Sequence, residues 1–385
     1  MLYIRAIGYL ANTLSNRSNT FKREQMPANT FGEIFRLTTF GESHGKAIGG
    51  IIDGCPPGLQ LDIKAIQNEL NRRRPGQSKL TSPRNEADEV VFLSGIFEGN
   101  TTGTPLAFMI YNNDQRSKDY GNLENVFRPS HADFTYQAKY GVRDFRGGGR
   151  SSARETASRV VAGAIAKQFL QKHHIHFTAF VSQIGTEKLA AIPAKVSQAE
   201  IEQSLVRCPV PEVSERMQKL IEAMKAEGDT LGGVISCFID GLPVGLGAPV
   251  FDKFHADLAK AMLSINAVKA FEYGSGFAGA EMRGSQHNDA FFMEDDKLRT
   301  ATNHSGGVQG GITNGEQIYF RTAFKPVATI MQKQSTVNKQ GEAIELQAKG
   351  RHDVCVVPRA VPIVEAMAAL VTIDHFLRNK IYQNL

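Results

Sequence analysis

The chain has 385 residues, 42% of them hydrophobic and 22% charged, which is the composition of an ordinary soluble globular protein. Its 44 Lys and Arg against 39 Asp and Glu leave a net charge of +5, too small an excess to indicate nucleic acid as a partner. No apolar run approaches the roughly 20 residues that a bilayer-spanning helix requires, and Cys55, Cys208, Cys237 and Cys355 form no C-x-x-C pair, so zinc and redox motifs are missing and the scatter fits a reducing cytosol.

Residues 1–25 differ from the rest. Arg5, Arg17, Lys22 and Arg23 face a single acid, Glu24, among several Ser and Asn. This reads as a disordered leader or extension ahead of Met26, the working start, with a transit-like segment as the other reading. No A-x-A-like cleavage site follows an apolar core, so secretion is not expected. Thr30 to Phe40 reads as a strand, Gly41–Gly45 as a turn and Ala47–Ile52 as a second strand, giving a hairpin-like start. Asp62 caps a helix with Ile63, Ile66 and Leu70 on one face, and Pro75 stops it. That helix carries Arg72, Arg73 and Arg74 to its C-terminal end, where cations suit the dipole.

Gly147–Gly149 is a flexible loop, and a strong helix follows. Ser152 and Glu155 fit the S-x-x-E capping box, and Ala157, Val160, Val161, Ala164 and Ile165 supply an apolar face. Residues 185–230 read as a charged, mostly helical excursion, 234–239 as a strand, and Asp252 to Met262 as an amphipathic helix. Two glycine-rich segments run from Gly274 to Gly284 and from Gly306 to Gly315. Lys339–Gly350 is polar and reads as a loop, and Pro362 opens a last helix through Phe376.

Two short motifs lack their required context. Gly41–Gly45 fits G-x-S-x-G, but a glycine-broken strand follows where a nucleophile elbow needs a helix. Gly274–Gly279 fits G-x-G-x-x-G, but no apolar helical face follows to hold a pyrophosphate. A serine hydrolase on Ser43 and a non-catalytic phosphate- or nucleotide-binding module are therefore the rival readings. Basic residues cluster beside Gly and Ser rather than among acids: Arg72–Arg74 with Lys79, Arg128 beside His131, Arg143 to Arg159, Lys325, and Arg351 with Arg359. Fixed phosphates explain such clusters, and unrelated surface charges explain them equally well. His44, His131 and His352 sit in tight or charged contexts where a proton donor to a leaving group is conceivable. His173, His174 and His176 end a helix without a carboxylate at ligand spacing, so no metal site is expected.

Three stretches carry a resemblance: Thr-Thr-Phe-Gly-Glu-Ser-His-Gly (38–45), the run from Gly147 to Val160, and the run from Gly350 to Met367. Together with 72–76, 114–117, 127–133, 264–269 and 303–307, in this order, they are similar to the signature regions of the chorismate synthase family. The likeness runs from about Asn29 to Phe376. It implies an α+β fold, a β-α-β sandwich with helices between antiparallel sheets, usually assembled as a homotetramer. Motifs near residues 44, 150 and 351 would have to meet, so 26–385 is expected to be a single catalytic domain.

The implied reaction is the 1,4-anti elimination of phosphate from 5-enolpyruvylshikimate 3-phosphate, the last step of the shikimate pathway. It requires reduced FMN without net redox change, and a separate flavin reductase is the expected source of that FMN. By resemblance His44 protonates toward the leaving phosphate, His131 sits by flavin N1 and Asp353 lies near N5, with Ser43 and Ser152 in support. The resemblance points to Arg150, Ser151, Ser152, Asn266, Ala267, Gly310, Lys325, Pro326, Val327, Ala328, Thr329 and Arg351 for FMN. It points to Arg73, Lys79 and Arg154 for substrate, with Lys79 where the family often has Arg. A small-molecule enzyme of the cytoplasm, with no nucleic acid, membrane or metal, is the expectation.

Overall fold

Leu37, Ile48, Ile52, Leu106, Phe108 and Ile110 alternate with more exposed residues along three strands, and each is at most 2% exposed. Period-two burial of this kind builds a sheet with one face on a core. The computed structural model describes residues 28–78, 80–81, 86–113, 123–347 and 352–383. The leader at 1–25, Lys79 and Arg351 lie outside the described residues.

In chain order the strands are β1 (Thr30–Phe31), β2 (Arg36–Gly41), β3 (Ala47–Asp53), β4 (Val90–Phe92), β5 (Ile96–Phe97), β6 (Asn100–Thr101), β7 (Leu106–Tyr111), β8 (His176–Ile184), β9 (Glu187–Lys188), β10 (Gly233–Asp240), β11 (Val268–Tyr273), β12 (Phe291–Glu294), β13 (Lys297–Thr300), β14 (Val308–Gln309), β15 (Ile312–Thr313), β16 (Ile318–Phe324), β17 (Lys333–Val337) and β18 (Ala343–Gln347). The α-helices are α1 (Ile63–Arg73), α2 (Asp133–Tyr140), α3 (Thr156–Gln171), α4 (Gln198–Gln203), α5 (Pro211–Glu227), α6 (Phe254–Leu263), α7 (Gly284–His287) and α8 (Val357–Gln383). One sheet has the order β1-β2-β3-β7-β4 and the other β11-β16-β10-β8-β9, with antiparallel pairing throughout both. Helix α3 packs on β2 and β3 on one side and on β8 on the other, while α8 packs on α3, β8 and β10. The helices thus form a middle layer between two antiparallel sheets, the expected α+β sandwich.

The middle layer is tight because α3 and α8 meet at a glycine. A Cβ built on Gly163 would lie 2.3 Å from Ala366 Cβ and 2.4 Å from its Cα. Along the same helices, Glu365 is buried at 1% exposure and answered by Arg72 at 2.7 Å and by Lys167. Burial pushes the Glu365 carboxyl up, but Arg72 and Lys167 outweigh it and hold it well below its ordinary 4.5.

Helix α1 forms as expected: Asp62 accepts from Ala65 N at 2.9 Å, and Ile66 and Leu70 are fully buried. Ile63 is 39% exposed, since it opens the helix beyond the edge of the core. The expected strand from Thr30 to Phe40 is interrupted. Asp374 of α8 takes the N–H groups of Glu33, Ile34 and Phe35 at 2.7–3.1 Å, replacing strand pairing there.

The Ser152–Glu155 capping box does not form. Ser152 instead accepts from Arg154 N at 3.3 Å ahead of a short 3-10 turn, and Glu155 pairs with Arg159 at 2.7 Å. The reciprocal box occurs at Ser197 and Glu200. Within the polar segment from Lys339, β18 pairs with β17, so part of it is strand rather than loop.

Pro362 lies inside α8 rather than opening it. An internal proline deprives the carbonyl four residues back of its donor. That carbonyl, Pro358 O, is met by Arg207 Nη1 at 2.6 Å. Contrary to the expectation that no apolar run approaches a bilayer span, the stretch 357–382 is long and apolar enough to cross one, but 94% of its apolar window is buried inside the protein, as in a core helix. The four cysteines are free and buried, and burial raises the thiols of Cys55 to about 11 and of Cys355 to about 12.

Two outcomes follow from the middle layer. Gly163→Ala should lower unfolding free energy by about 1–3 kcal/mol, the scale of overpacking, as measured by denaturant titration; an unchanged midpoint would contradict the backbone contact. Glu365 contributes stability that is present above its ordinary 4.5 and lost as pH falls toward its depressed folded value. Glu365→Gln should therefore flatten the loss of stability below pH 4.5, read from melting temperatures across that range.

Candidate active site

Three helix ends converge on Arg73. It is the last residue of α1, its Nε donates to Thr156 Oγ1 at the start of α3 at 3.2 Å, and its carbonyl accepts from Arg359 Nε near the start of α8 at 3.1 Å. Beside this junction opens a cavity of about 460 Å³, within the range of small-molecule sites.

One wall is cationic. Arg73 and Arg154 are 3% and 4% exposed, and both pair with the buried Asp88, at 3.1 Å for Arg73. Arg359 joins them and pairs with Asp353. Burial, with Arg359 and Arg154 adding to it, lowers the Arg73 guanidinium to about 10 although Asp88 opposes this. Burial raises the Asp88 carboxyl, but Arg73 and Arg154 outweigh it and hold it below its ordinary value. Arg154 is further fixed by Asn112 Oδ1 at 2.9 Å, and Asn112 donates to the carbonyls of Glu42 and Gly45 at 3.0 and 2.9 Å. The turn that carries His44 is thereby hooked to the arginine wall.

A second wall is built around Asp133, which is 2% exposed. Its carboxylate receives Arg128 through two nitrogens at 2.8 and 2.9 Å and Arg143 at 3.0 Å. His131 Nδ1 lies 2.9 Å from Asp133 Oδ1, bent away from good hydrogen-bond alignment but in direct electrostatic contact. Burial raises the Asp133 carboxyl, but Arg128 and His131 outweigh it and hold it far below the ordinary range.

The glycine loop runs between the two histidines. A Cβ on Gly147 would sit 2.6 Å from His44 Nε2 and Cδ2, and one on Gly148 would sit 3.4 Å from His131 Cε1. All three glycines, 147 to 149, have positive φ, a region that side chains disfavour. Gly147 and His131 line the cavity, while His44, 6% exposed, stands directly behind Gly147. Ser43, also buried at 2%, lies in the turn between β2 and β3, with no helix after it. The elbow that a serine hydrolase requires is absent there.

Asn266 closes a third side. Its Nδ2 donates to Ser151 O at 2.9 Å, while its Oδ1 is buried without a partner. Ala267 holds φ +70 and its carbonyl accepts from Lys325 N at 2.9 Å, which places Lys325 to Thr329 along the cavity. Lys325 Nζ donates to Ser130 O at 3.2 Å, and burial, with Lys269 nearby, lowers its amine.

Of the residues singled out in the sequence, Arg73, His131, Ser151, Ser152, Arg154, Asn266, Ala267, Lys325 to Thr329 and Asp353 line this one cavity. Two do not. The Arg150 guanidinium turns to β2, donating to Thr39 O at 2.8 Å and Asn29 Oδ1 at 3.2 Å, and lines adjoining clefts. Gly310 occupies the exposed turn between β14 and β15. Sequence reasoning missed Asp88, Asn112, Asp133, Arg143 and Arg359 as site components. Arg359 was visible only as part of a basic cluster, and Asp88 had no local signal. Among the described residues no group of His, Cys, Asp and Glu is arranged to hold a metal ion, and His173 packs at a tilt against Phe169 and Phe376.

A family profile described as chorismate synthase matches residues 35–377. A chorismate synthase from Christiangramia forsetii is 61% identical over 355 residues, covering 92% of this chain and 99% of the relative. One from Cytophaga hutchinsonii is 60% identical, covering 92% and 98%. A crystal structure of a chorismate synthase superposes with a TM-score of 0.73 at 32% identity, covering 91% of this chain and 93% of that one. Sequence, fold and the gathering of the motif residues at one cavity agree, and the chain belongs to the chorismate synthase family.

Proposed function

We propose that the cavity holds reduced FMN and 5-enolpyruvylshikimate 3-phosphate together, the arginine wall taking the substrate's anions and the Asn266–Lys325 side taking the flavin. As a member of its family the chain catalyses the 1,4-anti elimination of phosphate to give chorismate, a carbon–oxygen lyase reaction of aromatic amino-acid biosynthesis. The observation that carries the proposal is that residues from six separated stretches, near 73, 131, 152, 266, 327 and 353, line a single cavity.

The residues fit a flavin mononucleotide. Asn266 Oδ1 is a buried acceptor lacking a donor, and Lys325 offers a cation beside it in the cavity. Asn266, Ala267, Ser151, Ser152 and the Lys325–Thr329 segment would hold the group; Arg150, Gly310 and Arg351 remain assigned to it through the family resemblance. When bound, reduced flavin would supply transient electron density and an acceptor for the proton that leaves C6.

The protein's own groups do the rest. Phosphate departure builds negative charge, which fixed cations in a water-poor cavity stabilise without reorganising. Arg73 and Arg154 are placed for that, and we assign Lys79 to the same anion. To His44, whose ring lies against the cavity-lining Gly147, we assign protonation of the leaving phosphate. His131, in electrostatic contact with Asp133, would bear on the flavin, and Asp353, held by Arg359, would relay the proton that leaves C6.

We read residues 26–385 as one catalytic unit, supported by one hydrophobic core that runs from Phe35 to Phe376. We assign a homotetramer, supported by the exposed Phe291, Phe292, Met293 and Leu298 on the β12–β13 hairpin. A flavin reductase acting in trans and a cytoplasmic location complete the reading; four free, buried cysteines suit a reducing compartment.

Purified protein with reduced FMN and substrate under anaerobic conditions should release chorismate and phosphate in equal amounts; release of neither would end the proposal. His44→Ala and His131→Ala should each lower kcat by about 100-fold or more, the usual share of a general acid, with unchanged melting temperature. Gly147→Ala should depress kcat as well, because its Cβ would meet the His44 ring at 2.6 Å; near-normal turnover by all three would refute these roles.

A further inference from the structure

Asp88 lies in the segment between α1 and β4, 1% exposed, with φ +50. Aspartate is one of the few residues besides glycine that occupies this left-handed region. Such a conformation persists where the surroundings over-determine it, often at functional sites. Here Gln67 of α1 fixes the backbone from both sides: its Nε2 donates to Asp88 O and its Oε1 accepts from Val90 N, each at 3.2 Å. The side chain then has one orientation, and each oxygen takes one guanidinium, Oδ2 from Arg73 and Oδ1 from Arg154.

The other nitrogens of both arginines are also committed. Arg73 gives Nε to Thr156 Oγ1 at 3.2 Å and Nη2 to Ala153 O at 2.7 Å. Arg154 gives Nε to Asn112 Oδ1 at 2.9 Å and Nη2 to Tyr111 O at 3.3 Å. A guanidinium has five N–H donors, so with three engaged about two remain on each for a ligand. Both residues line the cavity. Without a carboxylate between them, two buried cations converging on one point would repel each other and swing apart.

We propose that Asp88 is a positioning residue for the elimination: it sets the spacing and tilt of Arg73 and Arg154 so that their remaining N–H groups form a preset fork for the substrate's anionic groups. The inference rests on the reading of Arg73 and Arg154 as substrate-anion residues. Holding two donors in advance removes the ordering cost that flexible cations would incur on binding.

Two variants separate positioning from charge and from folding. Asp88→Asn keeps the shape and removes the charge. Asp88→Glu keeps the charge and shifts the carboxylate by one methylene, so it carries the test if Asp88→Asn does not fold. Steady-state rates with reduced FMN, the Kd for oxidised FMN by fluorescence, and melting temperature are measured for each, alongside Arg73→Lys and Arg154→Lys. The expected result for Asp88→Glu is a fall of about 100-fold in kcat/KM, mostly through KM for 5-enolpyruvylshikimate 3-phosphate, the scale of a 1 Å misplacement. Its FMN Kd should stay near wild type, even where the added methylene at φ +50 lowers the melting temperature by a few degrees. A kcat/KM within about 2-fold of wild type overturns the inference, and so does a lowered melting temperature with parallel loss of FMN binding, which assigns Asp88 to the fold alone. If the arginine variants raise KM and Asp88→Glu does not, the inference fails by itself. If the arginine variants leave KM unchanged, the reading of the arginines fails and takes the inference with it.

Discussion

At Gly163 there is no room for a side chain, because Ala366 of the neighbouring helix occupies the place a Cβ would take. Helices α3 and α8 therefore meet backbone to backbone, closer than ordinary side chains allow. That contact brings the start of α3 and the start of α8 to the same end of the middle layer, where the last residue of α1 joins them through Arg73. Each helix delivers a charged side chain there: Arg73 from α1, Arg154 from the turn before α3, and Arg359 from α8. The two sheets cover the outer faces of these helices and so exclude water from the layer that holds the cations in place.

Buried cations are costly unless each is answered by an acceptor, and the molecule answers them in two places. Away from the cavity, Arg72 and Lys167 share Glu365 and Glu69, and Arg72 also meets Glu202, so each charge has an answering partner. At the cavity, Arg73, Arg154 and Arg359 pair with Asp88 and Asp353, and the buried Glu86 also lines the wall.

What local sequence determines was legible: the Asp62 cap, the Ile66–Leu70 face and the β2–β3 hairpin all form where the residues place them. What depended on distant partners was not. Pro362 reads as a helix start, yet the helix continues through it because Arg207, far away in sequence, meets the carbonyl that the proline leaves bare. Ser152 and Glu155 have capping-box spacing, but Arg159 captures the glutamate one turn later. The histidines and glycines of the site stood out because short motifs carry them. Asp88 did not, since its meaning lies in two arginines drawn from other elements. Arg150 sits in the most recognisable motif, and its neighbours Ser151 and Ser152 line the cavity while its own guanidinium is held at β2.

The Gly147–Gly148 backbone separates the two histidines to which the proposed function gives different roles. His44 touches Gly147 and His131 approaches Gly148, so a single peptide strip lies between the rings. Each ring is tied to a different anchor. The His44 turn hangs from Asn112 and through it from Arg154, on the side assigned to phosphate. His131 is held by Asp133 together with Arg128 and Arg143, and the neighbouring Ser130 carbonyl accepts from Lys325 on the side assigned to flavin. A residue with a side chain at 147 would press on one imidazole, and its φ of +75 would strain it further. Glycine at that point keeps the partition between His44 and the cavity one backbone thick.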